Sequence, residues 1–122
     1  MYHYIRDKSK TYPYYNSLQK KKFIAQVKKF SKTGLICSLD ELFSQNNKYL
    51  LTFDDGLKDH IFAAEILKKN NATGIFFIPT LPLKKNIILD VHKTHLLIGI
   101  FKGSEILSEL EKYLIKYKIK SY

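Results

Sequence analysis

Residues 48–79 read KYLLTFDDGLKDHIFAAEILKKNNATGIFFIP, and the fold of the chain turns on them. KYLLTF (Lys48 to Phe53) has the length and apolar character of a strand, and it stops at Asp54-Asp55-Gly56, where the backbone must turn. The following LKDHIFAAEILKKNN places Ile61, Ala64, Ile66 and Leu67 toward one side of a helix. Lys68 and Lys69 close that helix, where cations favour its dipole, and Asn70-Asn71 is its stop. TGIFFIP (Thr73 to Pro79) is a continuous apolar run ended by proline, the pattern of a strand buried on both faces. Strand, helix and strand in about thirty residues make a βαβ unit with parallel strands.

Working outward, MYHYI (Met1 to Ile5) alternates and suits a short strand, with a loop around Pro13. Ser17 is the expected cap of a helix from Leu18 to Phe30, with Phe23, Ile24, Val27 and Phe30 at helical spacing. Gly34 breaks that pattern. LICSL reads as a second short strand, Ser38 with Glu41 has the form of a capping box, and QNNK (45–48) reads as a turn. Downstream, TLPLKKN is expected to be a loop. Asp90 is the expected cap of a helix from Val91 to Phe101, and Ser104 that of another from Glu105 to Lys116. The fold class is α/β, with parallel strands joined by crossover helices.

The 122 residues have the size of one domain, enough to bury roughly two thirds of the unfolded surface. No apolar run approaches the roughly 18 to 20 residues a membrane helix needs, so no membrane span is expected. The N-terminus MYHYIRDKSK lacks the order of a secretory signal, which makes cytoplasmic the expected location. Cys37 is the single cysteine, excluding an internal disulfide. A formal charge of +10 admits an anionic partner, but of the 21 basic residues only Arg6 is arginine, the side chain that reads phosphate and base edges in bidentate fashion. With the lysines scattered, a solvated lysine surface and no specific nucleic acid are expected.

Two adjacent carboxylates at the carboxyl end of a strand stand where parallel α/β proteins build their sites. A turn, with Asp and Gly supplying local hydrogen bonds and positive φ, explains a bare Asp-Asp-Gly equally well. The longer string decides between them. LLTFDDGLKDHIFAAEILKKNNATGIFFIPT resembles the first motif and following βαβ unit of the NodB-type polysaccharide deacetylases, carbohydrate esterase family four. The likeness rests on Thr52-Phe53-Asp54-Asp55-Gly56, on the helix ending in ILKK, on GIFFIP, and on the Tyr-His of MYHYI, and it covers roughly residues 1 to 80. It implies a partial (β/α) barrel of the polysaccharide deacetylase type, in a single, incomplete domain over 1–122. It also implies hydrolysis of N-acetyl or O-acetyl groups on a surface or envelope glycan with a divalent metal, zinc or cobalt. Asp54 inherits the role of general base and Asp55 that of metal ligand.

The chain departs from the family elsewhere. The family's second motif, two histidines four positions apart, is missing; the nearest pair, His92 and His95, is three apart, on one face of the expected helix. The arginine segment that orients the base and the histidine segment that supplies the general acid are also missing, and His3 and His60 are poor substitutes. A catalytic zinc generally has three protein ligands, so the expectation is a hydrolase of non-peptide carbon–nitrogen bonds that is inactive in this form. A second chain or a missing C-terminal part would complete its barrel. The alternative is a non-catalytic glycan-binding or interaction module without a metal; a basic nucleic-acid-binding protein is third.

Overall fold

The computed structural model describes residues 1–44 and 47–119. The chain divides into two compact units: Met1–Asp7 with Ser17–Ile87, and Lys8–Asn16 with Ile88–Tyr122.

The first unit contains helix α1 (Lys20–Lys32), helix α2 (Leu39–Leu42), strand β1 (Thr52–Phe53), helix α3 (Asp59–Lys69), strand β2 (Ile75–Phe76) and helix α4 (Thr80–Lys85). β1 and β2 pair in parallel, Thr52 opposite Ile75 and Phe53 opposite Phe76. Ile75 N donates to Leu51 O at 2.9 Å and Phe77 N to Phe53 O at 2.8 Å. On the other side of β1 lies the N-terminal segment, also parallel: Tyr2 N donates to Thr52 O at 2.7 Å, and Asp54 N to Tyr2 O at 3.0 Å. β1 therefore runs between two parallel neighbours. LICSL contributes a single parallel bridge, Ile36 with Tyr49.

The core explains why β1 ends where it does. Phe53 is fully buried, with its ring stacked between Tyr2 (5.2 Å) and Phe76 (4.5 Å) and edge-on to Phe23 of α1 (6.0 Å). Ile5, Val27, Leu51, Ala63 and Leu67 close around it, so α1, α3 and the strands share one core. A buried Phe is worth about 1.5–3 kcal/mol by area alone. The next residue, Asp54, leaves the apolar interior.

Several local expectations are corrected. Ser17 does not cap α1, because the backbone of Leu18 is already taken: Leu18 N donates to Tyr4 O and Arg6 N to Leu18 O. Ser17 Oγ donates instead to Arg6 O, and the helix begins at Lys20, whose N–H donates to the Asp7 carboxylate. The inner face of α3 is His60, Ala63 and Leu67, whereas Ile61 is 64% exposed. β2 is not buried on both faces: Ile75 and Phe76 are only half-buried, and Phe77 and Ile78 beyond them are exposed. TLPLKKN is largely helical, since Pro82 falls in the first turn of α4, where a missing N–H costs nothing. The capping box of Ser38 and Glu41 is present in both directions, and Asn71 past α3 is left-handed at φ 49°. The QNNK turn lies partly outside the described residues.

The second unit holds α5 (Asp90–Ile100) and α6 (Gly103–Lys116). Tyr14 N donates to Gly99 O, and Tyr15 packs so closely on Gly99 that a Cβ there would lie 2.5 Å from Tyr15 Cδ2. Asp90 is the first residue of α5 rather than its cap, and its carboxylate pairs with Lys93. Ser104 does not cap α6; Lys102 N donates to Glu105 Oε2 at that end. Among the described residues no helix is long and apolar enough to cross a membrane.

Candidate functional site

Asp54 and Asp55 follow β1 directly, at its carboxyl end. Asp54 N is held by Tyr2 O, and the chain then turns through two left-handed residues, Asp55 at φ 80° and Gly56 at φ 58°. Gly56 is needed twice over: its φ suits glycine, and a Cβ there would lie 3.0 Å from Ile78 Cγ2. Asp55 has no such licence. Aspartate visits the left-handed region more readily than most residues, but at a cost.

The two side chains are three-quarters buried, 26% exposed for Asp54 and 25% for Asp55. Asp54 Oδ1 is buried with no hydrogen-bond partner. The other oxygens meet a histidine: His3 Nε2 is 4.0 Å from Asp54 Oδ2 and 3.9 Å from Asp55 Oδ2. These distances are too long for hydrogen bonds and stand at the outer limit of ion pairing.

The segment carrying His3 is fixed from three directions. Tyr2 binds β1 through its backbone. His60 Nε2 lies 2.9 Å from His3 O; a carbonyl only accepts, so Nε2 carries the proton and donates. Asp59 Oδ2, in the first turn of α3, accepts from Ile5 N at 3.1 Å and from Arg6 Nε at 2.7 Å. Beside them the Tyr2 phenol, whose hydroxyl donates to Gln26 Oε1, has its pKa raised by burial.

His60, one turn into the helix after the motif, is only 6% exposed, set edge-on to Phe53. Its Nδ1 is buried without a hydrogen-bond partner. It supports the site from below and does not enter it. His92 and His95 belong to the second unit, where they stand on one face of α5 with ring centroids 6.5 Å apart. The structure thus gathers Asp54, Asp55 and His3. The parallel pairing of MYHYI beside β1 is what brings His3 in, and the Tyr-His likeness of that segment was the available signal.

Among the described residues no group of three or more His, Cys, Asp or Glu side chains is gathered closely enough to hold a metal ion. Two donors, Asp55 Oδ2 and His3 Nε2, have the chemistry that zinc or cobalt takes, carboxylate oxygen with imidazole nitrogen. Two donors fall short of the three protein ligands that a catalytic zinc generally takes. Comparison with protein-family models, with curated proteins and with solved structures gives no match.

Proposed function

We propose that this chain is a polysaccharide deacetylase-like protein directed at the N-acetyl or O-acetyl groups of a surface or envelope glycan, with Asp54 as general base and Asp55 as metal ligand. The observation that carries the reading is the state of the two carboxylates. They end a strand that runs between two parallel neighbours, one with a buried oxygen lacking any donor and the other on a left-handed backbone. The positive φ of Asp55 is one a turn also accounts for, but the buried, unpartnered oxygen of Asp54 is not that of a satisfied turn residue.

Deacetylation adds the oxygen of water to the acetyl carbonyl and breaks the carbon–nitrogen bond, releasing acetate and an amine. Asp54, as the general base, takes the proton of the attacking water on its partly exposed carboxylate. Asp55 and its neighbourhood would hold the divalent cation, which when bound lowers the pKa of water by several units toward neutrality. The proton must then reach the departing nitrogen, and no group of this chain is assigned to deliver it. The chain alone is therefore expected to turn over little or no substrate, with the remaining donors supplied by a polypeptide outside residues 1–122, a second chain or a continuation of this one.

The test is calorimetric titration of residues 1–122 with zinc and cobalt, together with acetate release from N-acetylated oligosaccharides. Asp55→Asn is the right probe of ligation, since asparagine tolerates the left-handed backbone that alanine would strain. It should weaken metal binding, whereas Asp54→Asn should leave the metal bound. Metal affinity indifferent to Asp55→Asn, or robust metal-dependent acetate release that survives Asp54→Asn, would overturn the assignment.

A further inference from the structure

We propose that His3 is a metal ligand, forming with Asp55 a two-residue half-site for a divalent cation of the zinc or cobalt kind. The inference rests on the reading of Asp55 as a ligand. Imidazole and carboxylate bonds to zinc, each about 2.0–2.2 Å, separate the two donor atoms by about 3.4 Å at a tetrahedral angle and by about 4.2 Å when collinear. The observed 3.9 Å between His3 Nε2 and Asp55 Oδ2 lies inside that span. A closing movement of roughly half an ångström reaches the tetrahedral separation.

The local construction suits that movement. The imidazole is 38% exposed. Its backbone is immobilised by the Tyr2 pairing on β1, by His60 Nε2 on its carbonyl, and by Asp59 on the next but one N–H. A side chain that swings on a fixed main chain, facing two carboxylates at nearly equal distance, presents a nitrogen donor to whatever cation they attract.

The decisive measurement is side-chain nitrogen NMR of the four histidines during zinc titration of the full chain, with calorimetry in parallel. Zinc should move the His3 Nε2 resonance into the metal-bound range and leave His60, whose Nε2 proton is committed to His3 O, where it was. His3→Gln should weaken zinc at least about tenfold, since even outer partners of a metal site cost 10–100-fold. Its unfolding midpoint should stay unchanged, because the bonds that hold the segment are made by backbone and by other residues. Asp55→Asn should weaken zinc comparably and erase the His3 shift. If Asp55→Asn weakens zinc while the His3 resonance stays still and His3→Gln binds normally, the inference fails and the reading of Asp55 survives. If zinc moves only His92 and His95 and Asp55→Asn changes nothing, both fail together.

Discussion

Replacing Asp59 with alanine should destabilise the first unit by about 2–4 kcal/mol, and the structure shows where that figure comes from. One oxygen, Oδ2, accepts from Ile5 N and from Arg6 Nε. A hydrogen bond to a charged group is worth about 1.5–3 kcal/mol, and its loss leaves the N–H of Ile5, a residue only 1% exposed, without this partner. The Arg6 arm adds less than about 1 kcal/mol, because 39% of its side chain is exposed and water screens the pair. An acid in the first turn of α3 adds about 0.3–1 kcal/mol through the helix dipole. Against the roughly 5–15 kcal/mol of a typical domain this is a large loss. Urea unfolding followed by circular dichroism measures it, and hydrogen exchange at the Ile5 amide localises it. Arg6→Ala should cost under about 1 kcal/mol, because it leaves the backbone bond in place. A loss below about 0.5 kcal/mol for Asp59→Ala, or an Arg6→Ala effect as large as that of Asp59→Ala, would refute the claim that the carboxylate acts mainly by holding the Ile5 amide.

Gly74→Ala should cost about 1–3 kcal/mol by overpacking, since the new Cβ would lie 2.9 Å from Leu67 Cδ1 and Phe53 Cε2 and 3.2 Å from Leu51 O, which cannot retreat without moving β1. An unchanged urea midpoint would show that the strand-to-helix spacing is looser than described. Glu41 has its pKa held below the ordinary 4.5, first by the Ser38 backbone N–H and then by the Ser38 hydroxyl. A depressed carboxylate stabilises above its unfolded value and loses that contribution as pH falls through its folded value. Amide exchange in Leu39–Leu42 should therefore rise below about pH 4.5 in the parent protein and lose that pH step in Glu41→Gln, which no longer titrates; an identical acid profile in the two would contradict the Glu41 carboxylate as its cause.

What was legible in the sequence was what local chemistry determines. The βαβ order from Lys48 to Pro79 follows from run length, charge at a helix end and two asparagines, and the parallel pairing of β1 with β2 is present. The box at Ser38 needs only four residues and is found where its spelling puts it. The failures have a common cause in contacts between distant segments. Ser17 is a good cap by type, but the N-terminal segment takes the backbone of Leu18 first. His60 lost the inner face of α3 to Ile61 on hydropathy, and nothing local announces that the carbonyl of His3 waits there to accept its proton. GIFFIP reads as doubly buried because apolar content signals burial without saying which parts of the fold cover the two faces of a strand. His3 was passed over for the same reason: its distance from Asp54 in sequence conceals that parallel pairing sets it beside the loop.

Three aspartates within six residues make the argument for the site sharper than any one of them. Asp59 is fully employed, its oxygen shared by a backbone amide and a guanidinium, and it needs no explanation beyond structure. Asp54 and Asp55 face the opposite situation. An unpartnered buried oxygen costs about 1–3 kcal/mol, and a non-glycine residue at positive φ costs of order 1–3 kcal/mol as well. A chain with this many lysines had the means to satisfy either carboxylate, yet no lysine is paired with them among the described ion pairs. Both costs fall on consecutive residues, at the carboxyl end of the strand that runs between two parallel neighbours, opposite an imidazole that stops just short of contact. Packing gains nothing from that arrangement, since the core beneath is complete at Phe53. On the proposed reading, a divalent cation bound at these carboxylates would offset that cost.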